Sequence, residues 1–160
     1  MSFIKQKDLG YNKDALLFLR VNGNTDVING YDAFKNELKA SSLVSGVATS
    51  NSMIVGGLSS GGSETVDVKG NPLQVNTSRL RVDSNFFNVY DIKLQAGKTF
   101  NRETAAPGVR EIILNEMAVK KFGWKNNQEA IGKPFKMGGT KGVVVGVSND
   151  FHFNTLERTI

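Results

Sequence analysis

Leu94-Gln95-Ala96-Gly97-Lys98-Thr99-Phe100 is the first of five short phrases that follow one another in the second half of the chain. Behind it come Ile113-Leu114-Asn115-Glu116, Lys121-Phe122-Gly123-Trp124 and Ala130-Ile131-Gly132-Lys133. Gly146-Val147-Ser148-Asn149-Asp150-Phe151-His152-Phe153 closes the series. Each phrase joins an apolar run to glycine or a small polar residue, which is how strands and helices end. None is a catalytic motif. A series of junctions with no reactive cluster between them describes a scaffold.

Working outward, the pattern predicts short elements around these junctions. Ile92 to Ala96 reads as a strand stopped by Gly97, and Glu111 to Leu114 as another. Asn115 is placed to cap a helix over Glu116 to Phe122, whose apolar side is Ala118, Val119 and Phe122. Gly123 follows, where a helix end favours a residue without Cβ. Gly138-Gly139 joins a short strand to Gly142 to Val147. Upstream, Glu64 to Lys69 and Leu73 to Val82 read as strands about the turn Gly70-Asn71-Pro72. Asp83 and Ser84 are candidate caps for a short helix near 85–90.

The first third has another texture. Ala15 to Val21 is almost continuously apolar, the pattern of a strand covered on both faces. Asn22-Gly23-Asn24 reads as a turn. Ile28, Tyr31, Phe34 and Leu38 recur at helical spacing, which predicts a helix over about 31–40. Leu43 to Thr49 reads as a second strand, giving strand-helix-strand. Gly56-Gly57-Leu58-Ser59-Ser60-Gly61-Gly62-Ser63 has the composition of a flexible connection. The expected division is therefore 1–55, then a glycine- and serine-rich connection at 56–63, then a β-rich unit over 64–160.

Composition narrows the function classes. With 160 residues, 39% hydrophobic and 22% charged, the chain suits one ordinary domain or two small lobes. Net charge is +5, from 20 Lys and Arg against 15 Asp and Glu. These basic residues are scattered, the densest group being Lys120-Lys121 with Lys125, whereas nucleic-acid binders concentrate charge on one face. No cysteine is present, so disulfides and thiolate metal sites are excluded. No apolar run approaches the roughly 20 residues that span a bilayer. Met1-Ser2-Phe3-Ile4-Lys5-Gln6 reads as the start of a segment from inside a longer protein.

His152 is the sole histidine. A catalytic arrangement would make it a general base oriented by Asp150, yet residues two apart are poorly placed to bond and no nucleophile is marked nearby. The simpler expectation is that Asp150 caps or turns the chain while Phe151, His152 and Phe153 pack at a strand end. One His and no Cys cannot make the usual zinc ligand set, and no carboxylate cluster has calcium or magnesium spacing. Gly56-Gly57 and Gly61-Gly62 match neither a dinucleotide fingerprint nor a phosphate loop, and Gly97-Lys98-Thr99 lacks the upstream glycine a phosphate loop needs. Trp124 reads as packing against the preceding helix end rather than as a ligand-stacking ring. No catalytic, cofactor-binding or metal residue is assigned.

The phrases resemble the extracytoplasmic core domain of MacB-like, FtsX-type ABC transporter permeases. The patterns Leu-x-x-Gly-Arg-x-Phe, Asn-Glu-x-Ala-x-x-x-x-Gly-Trp, Ala-Ile-Gly-Lys and Gly-Val-x-x-Asp-Phe-His-Phe map onto Leu94 to Phe100, Asn115 to Trp124, Ala130 to Lys133 and Gly146 to Phe153. Asp8-Leu9-Gly10-Tyr11-Asn12-Lys13-Asp14 resembles the stretch after the first membrane helix. Lys98 stands where the family usually has Arg, which loosens any planar bidentate contact there. The resemblance implies an α+β fold: half of a porter-like α/β lobe plus a β-rich, sabre-like lobe with short helices. The segment that would return to the first lobe lies past Ile160, so part of the apolar surface of residues 16–21 and 31–38 is expected to lack cover.

Functionally, the resemblance implies a non-catalytic domain in the cell envelope, the periplasmic portion of an inner-membrane protein. It would transmit ATP-driven motion or contact a periplasmic partner or cargo. Its implied partners are a second permease copy, a cytoplasmic ATPase subunit, and a periplasmic or outer-membrane partner. The rivals are a ligand-binding or sensing module with a cleft between lobes, and an enzyme using Asp150 and His152. With neither a phosphate loop nor a ligand cluster, the isolated chain is expected to bind no ATP and hold no stoichiometric transition metal. Isothermal titration with Mg-ATP and metal analysis of the purified protein check this, and saturable micromolar nucleotide binding would overturn it.

Overall fold

The computed structural model describes residues 9–12, 14–21, 23–54, 58–101 and 107–153. Its centre is a six-stranded sheet. Strands β1 (Ser59–Val66) and β2 (Pro72–Arg79) form an antiparallel hairpin in register from Ser59 opposite Arg79 to Val66 opposite Pro72. The turn between them is built by Asp67, whose carboxylate accepts from the backbone N–H groups of Lys69 and Asn71 and from the Asn71 amide. Those bonds, the Asn71 side chain first, hold the Asp67 carboxyl below its ordinary range.

Strand β3 (Leu94–Gly97) pairs antiparallel and β4 (Arg110–Asn115) parallel with the last strand, β6 (Thr140–Ser148). Strand β5 (Pro134–Met137) makes a hairpin with β6 and also pairs with β1. Gly138 and Gly139, at φ +52° and +81°, supply the left-handed backbone that a two-residue hairpin turn requires. Gly142 pairs with both Phe135 and Arg110, and Gly146 with both Gly97 and Ile113. One residue offers each edge once, so β5 and β3 lie end to end along one edge of β6 and β4 takes the other.

Two apolar cores cover the sheet. Ile112, Leu114, Val144, Val147 and Phe135 pack with Val119, Phe122, Trp124 and Ala130 from the helical side. Ile54, Phe86, Phe87 and Ile92 form the other core, joined by Leu80, Leu94, Ile113 and Phe151. Alternation along β4 sends Ile112 and Leu114 to the first core and Ile113 to the second. β6 breaks this alternation. Val144 and Val147, 1% and 0% exposed, are three residues apart yet share a core. The register shift that places Ile112 opposite Val144 but Ile113 opposite Gly146 accounts for it, because the extra residue, Val145, is a bulge.

Short helices close the ends. α4 (Glu116–Lys121) is capped by Asn115, whose side chain accepts from the Ala118 N–H at 3.1 Å. α5 (Asn127–Ala130), unexpected from the sequence, begins at Asn126, whose side chain accepts from the Glu129 N–H, while Glu129 accepts in turn from Lys125 N–H. This is a close variant of the reciprocal capping box, and Asn126 with Glu129 was its signal. α3 (Phe86–Val89) lies where the sequence placed it. α2 (Tyr31–Lys39) corresponds to the expected helix, preceded by α1 (Thr25–Asn29), whose cap is Asn24 rather than a free turn.

Three expectations are corrected. Residues 15–21 form no strand, and neither do residues 43–49. A continuous apolar run signals a capacity for burial, but a strand also needs a neighbouring backbone. Leu17 is 83% exposed, and the one pairing near 43–49 is a single antiparallel bridge from Ser50 to Val82. Third, the glycine-rich stretch is not loop throughout. Residues 59–63 belong to β1, where the Arg79 guanidinium lies over Gly61 in the space a side chain would occupy and donates to Gly62 O. Ser63 and Thr77 hydroxyls bond across the pair at 2.7 Å. Residues 56 and 57 lie outside the described residues.

Gly97 sits at φ +73°, and a Cβ there would come 2.1 Å from the Val145 carbonyl oxygen at the bulge. Gly97→Ala is expected to cost about 1–3 kcal/mol from backbone strain alone, with the clash adding to it. Urea unfolding followed by circular dichroism checks this; an unchanged midpoint would remove the bulge contact from the account.

Helix α2 is held to the sheet side by Tyr31, which donates from its hydroxyl to Asp83 Oδ2 at 2.8 Å, with Lys35 Nζ 3.7 Å from the same oxygen. Burial first, then the Asp83 carboxylate, push the Tyr31 phenol up to about 12, against an opposing bond with Thr49. A pKa raised on folding stabilises the fold fully below the unfolded value, and that contribution is lost as pH rises through the folded one. Stability from this contact is therefore expected to disappear between roughly pH 10, the ordinary tyrosine value, and pH 12. Tyr31→Phe should flatten that part of the alkaline stability curve, measured by denaturant unfolding across the range.

Candidate functional site

The structure brings the closing phrase, residues 146–153, to the point where the chain enters the fold. His152 N–H donates to Leu9 O at 2.9 Å, and Asn149 Nδ2 donates to Gly10 O at 3.0 Å. Asn12 N–H donates to Tyr90 O at 2.8 Å, and the Tyr11 and Tyr90 rings meet edge-on with centroids 5.9 Å apart. Burial raises both phenols above their ordinary value, and Tyr90 adds to the effect on Tyr11. Gly10 is at φ +73°, and a Cβ on it would stand 2.2 Å from Asp150 O. This approach of two backbones requires glycine.

Asp150 and His152, the pair a catalytic arrangement would need, are differently employed. The Asp150 carboxylate accepts from Met117 N–H at 2.8 Å, in the first turn of α4, where partial positive charge favours a carboxylate. His152 is partly buried between Phe151 and Phe153, whose rings meet at 6.4 Å, and its backbone N–H bonds Leu9 O. Among the described residues, Asp150 and His152 share no side-chain hydrogen bond. Trp124 is 4% exposed, stacks edge-on with Phe122 and donates from its indole nitrogen to Val66 O at 3.0 Å. It is part of the first core. Lys98 donates its backbone N–H to Val145 O at 3.0 Å, which ties Gly97-Lys98-Thr99 to the bulge.

Among the described residues, no three His, Asp or Glu side chains gather as a metal would need. No described helix is long and apolar enough to cross a membrane. An open pocket of about 270 Å³ is lined by Thr49, Ser50, Asn51, Arg81, Val82 and Asp83. Its walls are the two segments joined by the Ser50–Val82 bridge, with Asn51 N–H donating to Arg81 O and Arg81 N–H to Asn51 Oδ1. The volume lies at or below the lower end of small-molecule sites, and the polar groups of its walls are largely spent on one another.

Sequence reasoning missed the roles of Gly10 and Asn149. Gly10 carried a legible signal, a glycine between Leu9 and Tyr11 with no turn composition around it. Asn149 carried none beyond its place before Asp150, because its partners lie 56 and 139 residues away.

The chain resembles the periplasmic region of MacB from Actinobacillus actinomycetemcomitans at 19% identity, with a TM-score of 0.49, over 77% of this chain and 52% of that one. It also resembles the extracellular domain of the noncanonic ABC-type transporter YknZ from Gram-positive bacteria at 22% identity and TM-score 0.42, over 74% of this chain and 57% of that one. The chain thus spans about half the length of these solved structures. No curated protein sequence matches it. The MacB-like periplasmic core domain matches residues 4–158, nearly the whole sequence, with the five junction phrases inside the match, and the chain belongs to that family.

Proposed function

We propose that this domain is a non-catalytic part of an ABC transporter permease, exposed on the periplasmic face of the inner membrane, which transmits ATP-driven motion or contacts a periplasmic partner or cargo. ATP hydrolysis belongs to a cytoplasmic subunit or domain, and a second permease copy and a periplasmic or outer-membrane component are the partners this role requires. Within the chain, residues 1–55 act as the first half of a porter-like lobe, and the β-rich part that begins with β1 acts as the sabre-like lobe. The observation that carries the proposal is the family match over residues 4–158. The arrangement of Asp150 supports it, because its carboxylate bonds Met117 N–H at the α4 N-terminus and, among the described residues, shares no side-chain hydrogen bond with His152.

A ligand-sensing domain would use the Thr49–Asp83 pocket, and a small-molecule binding screen on the chain tests that rival. For the main reading, His152→Ala in the intact permease is expected to leave transporter-dependent phenotype and ATPase stimulation near wild type. Trimming a partly buried ring should lower stability by about 1–2 kcal/mol, within the ordinary range for single substitutions. Transport or drug-resistance assays and thermal unfolding, run in parallel, check it. Loss of function in a variant that remains folded would favour the enzyme.

A further inference from the structure

We infer that Asn149 and Asp150 form a latch that couples the entering segment, Leu9–Asn12, to β3 and to α4. The function proposed above gives the closing phrase no mechanical part, yet its residues contact three separate parts of the chain. Asn149 exchanges two bonds with Lys93 just ahead of β3: its N–H donates to Lys93 O at 2.9 Å, and its Oδ1 accepts from Lys93 N–H at 2.8 Å. The same side chain turns its Nδ2 to Gly10 O and Asp150 O, each at 3.0 Å. One residue on, Asp150 Oδ1 holds Met117 N–H, and its carbonyl is the group against which Gly10 packs. His152 N–H closes the sequence on Leu9 O.

Asn149 spends both ends of its amide at once, one on Lys93 just ahead of β3 and one on the entering segment. It cannot follow Leu9–Asn12 outward and keep Lys93. Gly10 makes the contact close enough to act on. With a backbone oxygen where a side chain would stand, a shift of the entering segment toward the sheet must move Asp150, and with it the α4 N-terminus. A shift away breaks the bonds from Asn149 and His152 together. The latch therefore passes displacement of the entering segment to the two elements that flank β4 and β6. This deepens the transmission reading and rests on it only for what supplies the displacement.

Hydrogen exchange on the whole chain, read residue by residue, tests the coupling without the transporter. Coupling between two sites is reciprocal, so disturbance at either should register at the other. Gly10→Ala is expected to speed exchange at the Lys93 and Met117 amides by at least about tenfold while the β1–β2 amides hold their wild-type rates. Asn149→Ala, which adds no bulk, should speed exchange at Asn12 and His152 as well as Lys93. Acceleration confined to the neighbours of each substitution would overturn the latch, as would uniform acceleration that includes β1 and β2, since either describes ordinary packing. The coupling can hold while transport proves independent of it, in which case the transmission reading fails and the latch stands.

Discussion

The bulge at Val145 is the constraint on which the rest of the sheet depends. It lets β6 present Val144 and Val147 to the same core although they are three residues apart. It also turns the Val145 carbonyl toward the end of β3, where Lys98 N–H reaches it at 3.0 Å. Only a residue without Cβ fits beside that carbonyl, and Gly97 stands there. β6 itself must carry glycine at two crowded positions. A Cβ at Gly142 would meet the carbonyls of Arg110 and Phe135 at 2.9 Å, and one at Gly146 would meet Lys98 O at 2.6 Å. Three strands converge on one because the central strand has given up side chains where they approach.

A second irregularity completes the arrangement. β3 shifts register between Leu94 and Ala96, so Leu94 faces the second core and Ala96 the first. A regular strand would send both to one side. With Ile113 on one face of β4 and Ile112 and Leu114 on the other, the sheet is an apolar divider with cover on both sides. The first core is closed by α4 and α5, each capped by an asparagine. The second is closed by α3 and by the segments that carry Tyr11, Phe151 and Phe153. The entering and closing segments are thus part of the packing and not appendages to it. That is the physical basis for treating Asn149 and Asp150 as a coupling point.

The site was partly legible. Asp150 as a capping or turning residue and the packing of the Phe151, His152 and Phe153 rings follow from local chemistry, and the Trp124 ring lies in the core as its place after Gly123 suggests. What the local chemistry left unnamed was the partner. Asp150 caps a helix that begins 34 residues earlier, and Asn149 binds backbone atoms 56 and 139 residues away. Tyr31 and Asp83 likewise meet across 52 residues, with nothing in either neighbourhood to announce it.

By itself the sequence determined where elements stop, because turns, caps and positive-φ glycines act within a few residues. Asn115 before α4, Gly97 at the end of β3 and Gly138-Gly139 between β5 and β6 could be placed without a fold. It also carried the family, since the five ordered phrases all lie within the matched residues 4–158. Tertiary structure decided which extended segments became strands. Leu16 to Val21 has the apolar character of a buried strand but no paired backbone among the described residues, while Ser59 to Ser63 has the composition of a loop and is fixed by β2 on one edge and by β5 on the other from Ser63 onward. A strand is a property of two segments, and the hydrogen-bond partner is the one part of it that a local pattern does not contain.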